Sequence, residues 1–140
     1  MTYSYRSNIR LGEVVLNVSD LSGQINFYNK VIGLAILHQS GDEALLGLRD
    51  SQQVLVRLIK TDLPVKAYYG LFHMAILVPD RSALGAALKH ILLSGTNLTG
   101  GADHGYSEAI YLDDLEGNQS RNLFFSSLVN CVTFIPFSLA

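Results

Sequence analysis

Cysteine is nearly absent: Cys131 is the only one in 140 residues, which excludes an intramolecular disulfide. Stability must come from packing, and a reducing cytoplasm is the expected location. Charge is sparse as well. Charged residues make up 16% of the chain, with a net charge of -2. No run of Lys or Arg occurs, so neither nucleic acid nor an anionic membrane surface is an expected partner. The first ten residues, MTYSYRSNIR, lack the apolar stretch of a signal peptide, and none is expected. What the sequence does have is apolar residues, at 49%, enough for a real core in one domain.

Those apolar residues are arranged in a repeat. Residues 11–32 read LGEVVLNVSDLSGQINFYNKVI, and residues 71–92 read LFHMAILVPDRSALGAALKHIL. A shift of 60 sets Val14 on Met74, Leu16 on Ile76, Val18 on Val78 and Asp20 on Asp80. A second match, at a shift of 65, sets EALLGLRD (43–50) on EAIYLDDL (108–115). The extra residues fall in the loop GADHG, where insertion costs little. Each half opens with a buried strand, near 13–18 and 71–78. Asp20 and Asp80 each cap a following helix, and Gly33 and Gly95 end them. In the first helix Leu21, Ile25, Tyr28 and Ile32 recur at helical spacing; in the second, Leu84, Leu88, Ile91 and Leu92 do. Further strands are expected near 35–39, 43–49, 53–60, 97–100 and 108–113, with a linker at 61–66. The pattern is βαβββ, twice.

Three stretches carry a family likeness: DLSGQINFYNKVIGL, GLFHMAILVPDRSAL and DHGYSEAIYLDDLEGN. Together and in order they resemble the vicinal oxygen chelate superfamily, which holds glyoxalase I, the fosfomycin and bleomycin resistance proteins and the extradiol dioxygenases. The likeness covers about residues 9–118 and is greatest to the first module pair of two-domain catechol 2,3-dioxygenases. It implies an α+β fold in which two βαβββ modules, about 9–60 and about 70–121, curl into a half-open, barrel-like cup. It also implies a homodimer and a small-molecule ligand, anionic or aromatic.

Such enzymes use a divalent metal (Fe, Mn, Zn or Ni) as a Lewis acid on two adjacent substrate oxygens. The resemblance implies ligands from the first and last strands of each module. His73 falls on the first-strand place of module two and matches in residue type. Glu13 falls on the equivalent place in module one, where a carboxylate can bind a hard metal but can equally be a solvated strand end. The last strands depart from the pattern. GNQSRNLFF offers Arg121 and VLVRLI offers Arg57, and arginine cannot ligate a metal. Arg57 and Arg121 suit an anionic ligand or an ion pair instead. His104, near Asp103 and Glu108, is a further ligand-binding candidate, set against a loop cap in which Asp103 bonds local amides. Tyr111 could line the cup or belong to the core.

After Arg121 the sequence turns wholly uncharged and apolar through residue 140, a stretch broken by Asn130 and Pro136. A dimer interface, a membrane anchor and a frame-shifted end are the three readings of this tail. The functions in competition are a metal-dependent dioxygenase or lactoylglutathione lyase with an incomplete site, a non-catalytic binding module of the bleomycin-resistance kind, and a truncated first domain of a dioxygenase.

Overall fold

The computed structural model describes residues 12–62, 73–105, 107–116 and 122–126. Module one runs β1 (Val14–Val18), α1 (Leu21–Asn26), a π-helical turn (Phe27–Val31), β2 (Ala35–Gln39), β3 (Glu43–Leu48) and β4 (Gln53–Lys60). Module two runs β5 (His73–Leu77), α2 (Arg81–Leu93), β6 (Leu98–Asp103), β7 (Glu108–Asp113) and β8 (Asn122–Ser126). Each module forms a four-stranded sheet, ordered β1-β4-β3-β2 and β5-β8-β7-β6. In both, the first strand pairs parallel with the last, and the others pair antiparallel. Neither sheet closes on itself, and the duplicated α+β cup is the architecture.

The helix signals act as their chemistry requires. The Asp20 carboxylate accepts from the Gly23 amide at 2.9 Å, and Asp80 accepts from Ala83 at 2.8 Å. Gly33 and Gly95, at φ 90° and 76°, take the left-handed turn that ends each helical stretch. The first helix is not one regular α-helix, however. Phe27 and Tyr28 are both buried, and their rings meet edge-on at 5.4 Å. The stretch widens here to π geometry, a single turn of the kind found inside α-helices. Ile32 then donates to the Phe27 carbonyl at 3.2 Å.

Both modules feed one core. Leu16, Val18, Leu46, Val56 and Leu58 from the first sheet join Met74, Ile110 and Leu112 from the second, with Leu21, Ile25, Tyr28, Leu84 and Ile91 from the helices. A polar seam ties the modules together. Glu116 Oε1 accepts from the Ser19 amide (2.7 Å), the Ser19 hydroxyl (3.0 Å) and the Asp20 amide (2.8 Å). Tyr28 donates to buried Asp114, and His90 Nε2 donates to the Lys30 carbonyl at 2.7 Å. Positions 30 and 90 are matched by the sequence shift of 60, so this bond joins the two halves of the repeat.

Two expectations change in detail. The strand expected near 97–100 extends to Asp103, because β7 offers it a partner along its whole length. The last strand of module two, expected within GNQSRNLFF, is β8 between β5 and β7, and it takes in residues 122–126, which the module boundary at 121 had left with the apolar tail. The rest of the tail, residues 127–140, lies outside the described residues, as do its three readings. Among the described residues no helix is long and apolar enough to cross a membrane.

Candidate functional site

Strand alternation gives each sheet a core face and an open face. In module one Leu16, Val56, Leu58, Ala44 and Leu46 are buried on the core face. The open face carries Val15, Arg57, Leu45 and Glu43, since Val15 pairs with Arg57 and Arg57 with Leu45. Glu13, just before β1, reaches the same face.

There the side chains form a clamp. Arg57 Nε donates to Glu13 Oε1 at 2.6 Å, and Arg57 Nη1 donates to Glu43 Oε1. Three segments, the entry to β1, β4 and β3, are thereby joined by one guanidinium. Each of the three side chains keeps about a third of its surface exposed. The Glu13 bond is the largest influence holding the Arg57 pKa above its ordinary value; partial burial opposes it, and the Glu43 bond adds to it. An arginine guanidinium is not deprotonated in proteins, so Arg57 brings a fixed positive charge to the clamp.

Of the other expected site residues, His73, His104 and Tyr111 stand on different segments of module two. His73 opens β5 in register with Asn122, the place in module two that Glu13 holds in module one. Arg121 lies outside the described residues. The ladders also show which residue corresponds to Arg57. Val15 pairs with Arg57, its repeat mate Ala75 pairs with Phe124, and Arg57 and Phe124 are thus equivalent. The next pairings, Arg57 with Leu45 and Phe124 with Tyr111, place Tyr111 on the open face and set β3 on β7 at a shift of 66. The sequence match of 65 is one residue short of that register. Burial of Ile110 and Leu112 fixes the register, because a one-residue slip would turn both out of the core. The consequence is that Glu43 and Glu108, matched in sequence, face opposite sides. Glu108 turns toward α2, where Arg81 Nε donates to it at 2.6 Å. His104 sits in an exposed loop, where its amide donates to the Ser107 carbonyl and Asp103 accepts from the Gly105 amide at 2.8 Å.

A divalent ion wants several uncommitted imidazole or carboxylate donors converging on one point. Among the described residues no three His, Cys, Asp or Glu side chains converge in that way. The two carboxylates of the open face are both committed to Arg57. The described residues therefore do not fit a metal in module one. Sequence reasoning missed the role of Glu43; its signal was the i, i+2 alternation with Leu45 on a strand next to Arg57.

Comparison with known proteins agrees with this architecture. The family described as "Glyoxalase/Bleomycin resistance protein/Dioxygenase superfamily" matches residues 10–120. A catechol-2,3-dioxygenase of Bacillus subtilis (strain 168) is 36% identical over 119 residues, 82% of this chain and 41% of that protein. The chain thus spans less than half the length of this curated relative. Among solved structures, a lactoylglutathione lyase from Agrobacterium tumefaciens superposes with a TM-score of 0.66 at 14% identity, covering 86% of this chain and 95% of that one. A fosfomycin resistance protein from Listeria monocytogenes, solved with Mn(II) and 1S,2S-dihydroxypropylphosphonic acid, gives 0.65 at 15% identity, covering 86% and 90%. An integron cassette protein from the Halifax Harbour sewage outfall gives 0.67 at 20% identity, covering 85% and 98%.

Proposed function

The chain belongs to the glyoxalase/bleomycin resistance protein/dioxygenase superfamily, and from that membership we propose that it is a metal-free binding module which takes a small aromatic molecule on its open face. One observation carries the reading: Glu13, the carboxylate at the first-strand ligand place of module one, is committed to Arg57. A carboxylate whose charge is already offset by a fixed cation attracts a divalent ion less strongly than a free one. The same clamp argues against an anion. Two carboxylates meet one guanidinium, and an incoming negative charge would find a site of net negative sign. Aromatic chemistry suits what remains. In module one Val15 is 51% exposed on the open face, which also carries half-buried Leu45; in module two Leu77 is 37% exposed on β5, and half-buried Tyr111 lies in the same sheet. Catechol is the probe suggested by the Bacillus subtilis relative's name.

A second reading, a metal-dependent dioxygenase-like or lyase-like enzyme, draws on His73 opening β5 at the ligand place of module two. One pair of measurements decides between them. Elemental analysis of the purified chain is expected to find no stoichiometric divalent metal. Calorimetric titration with catechol is expected to give the same affinity with and without chelator. Stoichiometric metal that is lost in His73→Ala would overturn the metal-free reading.

A further inference from the structure

We propose that the Arg57 guanidinium is a built-in substitute for a divalent cation, and that Arg57 is the residue that excludes metal from module one. The inference rests on the metal-free reading above and goes beyond it, by naming what replaces the ion and what its removal would restore.

The geometry has three parts. First, Arg57 lies in the middle strand of the parallel and antiparallel pairings, between β1 and β3. From there a cation can reach both neighbours at once. Second, its two bonds go to carboxylates from different segments, Glu13 ahead of β1 and Glu43 at the start of β3. One group does the bridging that a multivalent ion does, by joining acidic side chains that would otherwise repel. Third, the arrangement is peculiar to module one. The equivalents of Glu13, Arg57 and Glu43 in module two are His73, Phe124 and Ala109, so no such clamp is encoded there. With Arg57 present the trio carries a net single negative charge; without it two carboxylates face each other with no cation between them. Repulsion between them must then be relieved by protonation, separation or an external cation. A divalent ion is the smallest species that neutralises both, and carboxylate oxygens suit Mn²⁺.

The test uses the full chain and Mn²⁺ as the probe, read by thermal unfolding and by calorimetry. The wild type is expected to melt at the same temperature with and without millimolar Mn²⁺. Arg57→Met is expected to melt lower than wild type and to regain much of the loss when Mn²⁺ is added. Its Mn²⁺ affinity should exceed that of wild type by roughly tenfold or more, the size expected for removing a fixed unit charge a few ångströms from the ligands. Adding Glu13→Gln to that variant should abolish the response. Arg57→Gln, which keeps a donor for Glu13, serves if Arg57→Met does not fold. An Arg57 variant that responds to Mn²⁺ no more than wild type overturns the inference. So does failure of both variants to fold in saturating Mn²⁺. Stoichiometric metal in the wild type would instead sink the metal-free reading itself, so the two failures are separable.

Discussion

Module one and module two share topology, caps and core but spend their acidic residues differently. In module one Glu43 stands on the open face and closes a clamp with Arg57. In module two Glu108 stands on the helix side and meets Arg81, whose side chain is 83% exposed. A single-residue difference in register between β3 and β7 separates the two outcomes. That is the sharpest consequence of strand alternation: the same short motif, slid by one, becomes part of a site or part of a surface. The helices differ too. Module two has 13 residues of regular α-helix, whereas module one turns to π geometry after six. The duplicate therefore keeps what the shared core demands and varies what faces outward.

The largest test of this shared core uses its deepest pair. Leu46 and Leu112 are repeat mates at the structural shift of 66, and both are fully buried. Leu46→Ala and Leu112→Ala are each expected to cost about 2–5 kcal/mol. Urea unfolding followed by circular dichroism should show one cooperative transition for both variants. Two separated transitions in either would mean that the modules unfold independently.

A smaller effect, of opposite sign, is expected at Gln24. Its side chain is fully buried, and neither carboxamide atom has a hydrogen-bond partner among the described residues. Its mate at a shift of 60 is Leu84, which is buried and satisfied by packing alone. Gln24→Leu copies module two into module one. It removes an unpaired buried amide and is expected to stabilise the chain by about 1–3 kcal/mol, read from the same urea curves. A loss of similar size would show that the carboxamide has a partner and that the modules differ here for a structural reason.

Much of this fold was legible in the sequence, and the reason is physical. Caps such as Asp20 and Asp80 act within one turn, and strands such as 35–39 and 53–60 announce themselves by local apolar pattern. The π turn was hidden because the spacing of Leu21, Ile25, Tyr28 and Ile32 is helical and no local pattern marks Phe27 as buried beside Tyr28. The candidate site was legible only in part. Glu13 and Arg57 could be singled out as residues, but their bond depends on the β1–β4 register, which no local signal sets. Glu43 stayed hidden because the sequence match at a shift of 65 paired it with Glu108, whereas the ladders pair its place with Ala109.

The smallest expected effect lies at the helix starts, where the two modules again differ by one atom. Asp80 caps Ala83, and Asp20 caps Gly23, its repeat mate. A Cβ on Gly23 would lie 2.1 Å from Asp20 Oδ2, so an alanine there must push the capping carboxylate away. Two terms then oppose each other. Alanine in place of glycine favours the helix by about 1 kcal/mol. Loss of the Asp20 cap costs about 1 kcal/mol. Gly23→Ala alone is therefore expected to be nearly neutral, against the usual gain. In an Asp20→Ala background the cap is already gone, and Gly23→Ala should show its full stabilisation. The double-mutant cycle should give a coupling of about 1 kcal/mol, while Asp80→Ala alone should lose about that amount. Additive behaviour at Asp20 and Gly23 would mean that the carboxylate keeps its bond beside an alanine, and the contrast with Asp80 and Ala83 would vanish.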